Sequence, residues 1–504
     1  MKNAFRKILS LLLLVSLLST IACSSTGSNS DTNKGNSSDT TAQKTEDPNG
    51  ISSLYRDQED SLPDSLNLGG ETIRILSLEN SSSSTAYVYD NEIWVEDLTS
   101  EPLSDSIYNR NMYVMDRLNC VIENDVATAA EITQKFDILF NADEDVYQVI
   151  GHEAAPTVSL SLDGYFHDLT ALETDYIDFE APWWSQQFFE ATGVNDKIMV
   201  LAGALSLSMT RSIHATYFNK RIAEEQNVEN LYEVVNDGRW TIDYQIEVTS
   251  GMYRDVNGND EHDLDDSYGF CSPFYWSSDS YWSAFDIDIL SKNNDGEFEF
   301  VLNTEKAYDG LIKVLKLCYS DAAYSYVEST KQTDDLFTSG RVFMITQKLA
   351  CAEAPGYRNM QDDYGILPMP KYDKKQSEYY SMPFEIFQTY SIPKTVIQPE
   401  MVTAVLEALC AETWRKVIPT YSEMVLKGKY LSDPQSRTMF DKVIGSVKID
   451  SGIMFYDKIG SIPSNLYRYP IEYNNAEHFT TNLASKSRML KLFIKNLNEL
   501  AFKE

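Results

Sequence analysis

The sequence predicts an α/β protein of two lobes, and three observations carry that reading. From residue 71 onward, short apolar runs of strand character alternate with amphipathic runs of helical period, the pattern of a mainly parallel sheet. Apolar residues make up 43 % of the chain, with 31 Tyr, 22 Phe and 7 Trp among 504 residues, enough for a large core. About 435 residues follow a polar N-terminal tract, too many and too varied in pattern for one sheet.

The elements follow in chain order. Glu71 to Glu79 ("ETIRILSLE") reads as a buried strand through Ile73, Ile75 and Leu76, and residues 104–119 as a helix with Val114, Met115 and Leu118 on one face. Val121–Val126 is a short strand, Ala129–Phe140 a helix and Val146–Ile150 a third strand, which leaves His152 and Glu153 in the loop behind it. In such sheets ligands bind beyond the carboxyl ends of the strands. Residues 213–220 ("IHATYFNK") read as a strand ending in Asn-Lys, followed by a helix Arg221–Glu225. Thr241 in "GRWT" is placed to cap a helix, with Asp243 in its first turn. Val402, Val405, Leu406 and Leu409 share one late helical face, and Leu490, Phe493, Leu497 and Leu500 another. No internal repeat is visible.

The N-terminus reads as a secretory signal. Lys2, Arg6 and Lys7 precede an apolar stretch from Ile8 to Leu18, too short for a membrane span, and Thr20-Ile21-Ala22-Cys23 follows. Small residues before a Cys resemble a bacterial lipobox, so residues 1–22 are expected to be removed and Cys23 acylated. Residues 23–69, rich in Ser, Thr, Asn, Asp and Gly, form a flexible tether. Cys120, Cys271, Cys318, Cys351 and Cys410 are scattered and odd in number, which argues for buried free thiols over a disulfide scaffold or a zinc site. The net charge of −34 excludes nucleic acid as a natural partner and disfavours polyanions, while it suits cations and neutral ligands.

"YFNKRIAEEQNVENLYEVVNDGRWTIDYQIEV" followed by "DVNGNDEHDLDDSYGF" resembles the family 1 extracellular solute-binding proteins of carbohydrate ABC transporters, and more narrowly their long clostridial lipoprotein branch. "SDSIYNRN" (104–111), "PWW" (182–184), "FTSGRVFMI" (337–345) and "DDYGILPMPKYDKKQSEYY" (362–380) add to the resemblance, which spans roughly residues 70–470. It implies a hinged, two-lobe clamshell of the periplasmic-binding-protein type that captures a sugar or oligosaccharide for an ABC importer, without catalysis. The lobes would be 70–215 plus 382–447 and 216–381 plus 448–504. The protein is expected to be a monomer on the outer face of the cell membrane, held there by its lipid alone, with the permease as its protein partner.

In "DVNGNDEHDLDDSYGF", counting from Asp255 puts oxygen at the ligand positions of an EF-hand-type loop: Asp255, Asn257, Asn259, Glu261 through its carbonyl, Asp263 and Asp266. Position 6, usually Gly, is Asp260, and position 12 is the shorter Asp266. The resembled family carries calcium in some such loops, so a structural Ca²⁺ is expected; a solvated acidic turn is the other reading of the same residues. For the ligand, aromatic faces pack on sugar C–H patches while amides, carboxylates and Arg meet hydroxyls. The candidates are Tyr275, Trp276 and Trp282 in "SPFYWSSDSYW", Trp183 and Trp184, His152 and Glu153, and Arg211 before the crossing strand. Trp240, Trp94 and Trp414 read as structural. No HExxH, GxSxG, Walker or GxGxxG motif is present. A glycoside hydrolase needs only two opposed carboxylates and is the alternative to a binding protein; a surface adhesin would explain the tether but not the α/β pattern.

Overall fold

The computed structural model describes residues 58–79, 92–273, 277–324, 330–427 and 434–502. Two sheets organise them. The first has the order β11-β3-β1-β2, with β1 (Thr72–Leu78), β2 (Val121–Ala127), β3 (Val149–Glu153) and β11 (Gln388–Ser391). β1 runs parallel to β2 and β3, and only β11 is antiparallel, pairing Gln388 with Glu153 and Ser391 with Ile150. The second has the order β10-β4-β9-β5-β8, from β4 (His214–Asn219), β5 (Tyr268–Cys271), β8 (Ala323–Tyr324), β9 (Val342–Lys348) and β10 (Tyr364–Leu367). A hairpin of β6 (Leu290–Lys292) and β7 (Phe298–Phe300) stands apart.

The local reasons are visible in the residues. β9 is buried throughout and apolar on both faces from Val342 to Ile345, as a strand covered on both sides must be. Thr128 and Glu131 form a reciprocal capping box at the start of the helix Ala129–Ala142. Thr241 caps Ile242–Thr249 through Tyr244 N–H, and Asn219 caps Lys220–Glu225, so the Asn-Lys that ends β4 also starts the next helix. The helix Pro102–Leu118 begins earlier than Ser104 because Pro102 suits the first turn and Glu101 accepts from Ser104 N–H.

Three passages of chain join the two sheets. Residues 211–214 lead into β4, residues 381–387 lead back to β11, and residues 446–450 run beside Ser381. Ile213 bridges Pro383, and Ser381 bridges Val447. The helix Pro399–Glu412 packs on Pro102–Leu118 beside the first sheet, whereas Pro434–Gly445 packs on β10 of the second. Among the described residues all five cysteines are free; Cys120, Cys271 and Cys410 are buried, and Cys318 and Cys351 half-buried. No described helix is long and apolar enough to cross a membrane.

Candidate functional site

The carboxyl ends of β3 and β9 meet at the second passage. His214 N–H donates to Met382 O at 3.2 Å and Phe384 N–H to Ser212 O at 3.1 Å, which ties this passage to the second sheet. Ala154 N–H donates to Phe387 O at 2.9 Å and Ala155 N–H to Glu385 O at 3.3 Å, which ties it to the end of β3. One six-residue segment therefore carries the junction of both sheets, the place where a hinge must act.

A polar cluster has formed around it. Arg468 pairs with Glu385, and both are largely buried. Lys348, the last residue of β9, lays its ammonium 4.3 Å from the centre of the Phe384 ring. His214 is fully buried with its ring edge toward Phe384. Its Nδ1 lies 3.3 Å from Met382 O; a carbonyl can only accept, so Nδ1 carries the proton and Nε2 presents a lone pair. Burial pushes the His214 pKa down to about 3, with Lys348 adding to the effect, so the ring is neutral. Trp282 meets Tyr467, the neighbour of Arg468, edge to face at 4.3 Å.

Among the described residues, Glu385 Oε2, His214 Nε2 and Trp282 Nε1 of this cluster are buried without a hydrogen-bond partner. A buried polar atom without a partner costs about 1–3 kcal/mol. One acceptor carboxylate, one acceptor imidazole and one indole donor beside an aromatic pair are the groups that hydroxyl-rich ligands satisfy.

No family model matches the sequence, and no curated protein does. Solved structures do match. An ABC substrate-binding protein from Listeria monocytogenes, in complex with cycloalternan, is 12 % identical over 83 % of this chain and 99 % of its own, with a TM-score of 0.53. The galacto-N-biose-/lacto-N-biose I-binding protein of a Bifidobacterium longum ABC transporter, in complex with lacto-N-biose, is 11 % identical over 84 % and 98 %, also at 0.53. A cyclo/maltodextrin-binding protein complexed with maltotetraose gives 11 %, 88 %, 98 % and 0.53. The fold is that of the ABC substrate-binding proteins. Its two lobes are the two sheets with their helices.

Within the substrate-binding fold the candidates from sequence fall in different places. Trp282 lies in the cluster at the second passage, but at 2 % exposure its ring is packed rather than presented. Trp183 and Trp184, at 2 % and 3 %, are both in the core of the first lobe, so neither indole offers a face to a cleft. Trp184 Nε1–H donates to Glu407 at 2.8 Å, and Gly203 packs so closely that a Cβ there would lie 2.2 Å from Trp183 O. His152 and Glu153 are not in a loop. β11 extends β3 by pairing Thr389 with His152 and Gln388 with Glu153, so the strand runs to its last polar residue. His152 is buried, its Nε2 3.2 Å from Thr133 Oγ1 under the helix Ala129–Ala142, and burial pushes its pKa down to about 4. Arg211, a ligand candidate from sequence, is instead engaged in a buried pair with Glu353 at 2.9 Å. Trp240 is core, its Nε1–H donating to Pro368 O. Tyr275, Trp276 and Cys23 lie outside the described residues.

Lys348, Glu385, Arg468 and His214 did not emerge from sequence reading. One signal was available: Lys348 ends a strand whose first four residues are apolar, where a cation has little packing reason to be.

The acidic loop 255–266 folds on itself. Asp255 accepts from Gly258 N–H and Asp260 N–H at 2.6 and 2.9 Å, Asn257 from Asn259 N–H, and Asn259 from Glu261 N–H. Asp260 takes φ of 61°, the left-handed conformation that position 6 of a calcium loop requires. Asp263 accepts from the amides of Asn257 and Asn259, and buried Asp266 from Val256 N–H and Tyr253 O–H. Among the described residues no three acidic, His or Cys side chains converge into a preformed cation cage.

Proposed function

We propose that this protein is an extracellular solute-binding protein, anchored by a lipid on Cys23, that captures a sugar or oligosaccharide for an ABC importer. What supports the reading most is the set of partnerless buried polar atoms at the passage joining two lobes of a substrate-binding fold. The three structures of this fold described above were each solved with a saccharide. We read the lobes as 70–215 plus 382–447 and 216–381 plus 448–504, except that Pro434–Gly445 belongs with the second lobe by its packing on β10.

A thermal-shift screen of a soluble form against a glycan library tests it. A true ligand at 100 times its Kd stabilises by about 2.7 kcal/mol, and the sugar is recovered unchanged. New reducing ends in the recovered sugar would replace this reading with a glycoside hydrolase. For the anchor, the expected result is labelled palmitate on the wild type and none on Cys23→Ala, which is released or left unprocessed. Absence of label on the wild type rejects lipidation.

The loop 255–266 is proposed to hold a structural Ca²⁺ through Asp255, Asn257, Asn259, the Glu261 carbonyl, Asp263 and Asp266. The left-handed Asp260 and the inward Asx turns favour it; the amides of Asn257 and Asn259 must turn their oxygens toward the ion. Extracellular sites of this class bind at about 10⁻⁴–10⁻³ M. Chelation is therefore expected to lower Tm in the wild type but not in Asp255→Ala/Asp263→Ala. An equal Tm with millimolar calcium and with chelator rejects the site.

A further inference from the structure

The polar cluster contains a cation that the protein itself does not use. Lys348 is 9 % exposed, and its ammonium makes no hydrogen bond or ion pair among the described residues; it lies over the Phe384 ring. The carboxylates around it are engaged elsewhere. Glu385 is paired with Arg468, Glu353 with Arg211, and Asp334 accepts from Gln347 Nε2 at 3.0 Å and Tyr357 O–H at 2.9 Å. Asp334 keeps its charge but turns it to neutral donors, so no carboxylate among the described residues meets the Lys348 ammonium at contact, and a buried charge is held best where a partner is supplied at contact.

A neutral sugar offers this ammonium only a hydroxyl oxygen, whereas an anionic one offers a full counter-charge at contact. From this cluster we infer that the ligand carries one anionic group, a carboxylate or a sulfate ester, on a saccharide unit seated at the second passage, and that Lys348 is the residue that selects it. The inference rests on the sugar-binding reading and names its substrate class. Around the anion, Trp282 Nε1–H would donate to a ligand oxygen, while Glu385 Oε2 and His214 Nε2 accept from ligand hydroxyls. Acceptors for hydroxyls and a cation for the anion thus both adjoin Phe384, through His214 and through Lys348. The chain's charge of −34 repels a polyanion, so the fit is to a single charged unit in an otherwise neutral chain.

The experiment is titration calorimetry of the purified protein with a panel in which each neutral oligosaccharide is matched by a counterpart bearing one hexuronate and by one bearing one O-sulfate. One anionic member is expected to bind at least tenfold tighter than its neutral match, with the preference shrinking as salt rises; whether the uronate or the sulfate wins identifies the group. Lys348→Met is expected to lose that preference while Tm holds or rises, because a buried charge has been removed, and Lys348→Arg to retain it. A merely structural lysine would instead lower Tm and leave the preference intact. Equal binding of neutral and anionic members, or a preference that survives in Lys348→Met, overturns the inference and leaves sugar binding standing. A panel in which nothing binds overturns sugar binding, and this inference with it.

Discussion

At pH 8, Glu407→Gln is expected to be more stable than the wild type by up to about 3 kcal/mol, and by pH 5 the gap is expected to fall below about 1 kcal/mol. Glu407 lies in the core of the first lobe with Oε2 accepting from Trp184 Nε1–H, while Oε1 is buried without a partner. Burial raises its pKa from 4.5 to about 7. The fold therefore prefers the protonated form, so the native state binds more protons than the unfolded chain between those two values. Stability from this group is whole below about pH 4.5 and is lost as pH rises through about 7. Glutamine keeps the acceptor for Trp184 and never ionises. Glu92 and Asp450, both raised to about 7 by burial, and Asp334, raised to about 6, act with the same sign. His152 and His214, pushed down, act with the opposite sign below about 6.5. Comparing one variant with the wild type across pH in chemical denaturation isolates Glu407 from that background. A gap independent of pH would mean that Glu407 is ionised in the native state at its ordinary pKa.

Trp282→Ala is expected to lose about 3–5 kcal/mol of stability, the cost of truncating a buried tryptophan. Its ring packs on Tyr467 and stands 2 % exposed. Read from sequence as a sugar platform, the same residue should lose about tenfold in affinity and little stability, so the two readings part by direction. Trp282→Phe refines the result: the packing largely survives, whereas the buried, partnerless indole N–H is gone. Stability near wild type with weakened ligand binding would give Nε1 a role in recognition. An alanine variant with an unchanged melting curve would show that the ring does not belong to the core.

How much of this was legible in the sequence varies with the range of the interaction. β1, β2, β4 and the helix caps at Thr241 and Asn219 are written locally, in residue period and in one side chain meeting a nearby N–H. The resemblance to solute-binding proteins supplied the two-lobe fold that periodicity could only suggest. The loop placement of His152 and Glu153 failed because the partner that keeps them in a strand begins at Gln388. Trp183 and Trp184 look like a sugar platform by composition; that they are core is decided by Gly203 and Glu407, neither of them adjacent in the chain. Lys348, Glu385 and Arg468 are lone charges in sequence and become a site only when three passages of chain converge. Arg211 was placed before the crossing as a ligand candidate, but its partner Glu353 lies 142 positions on, so nothing local in the sequence shows that it is already paired.

The first sheet has an edge strand that arrives late. β1 is complete at Leu78, yet Leu78 N–H is met by Gln388 Oε1 at 2.8 Å, and β3 stays open along one side until Gln388–Ser391 is delivered. A chain emerging from its N-terminus, whether from the ribosome or through a secretion channel, therefore makes the whole second sheet before it can finish the first. Contacts at such separation slow folding, because a long loop must close before they reward it. In an exported chain, as proposed above, that delay would be useful: until residue 391 is out, the leading half cannot lock into its final shape, and an unlocked chain can still be threaded.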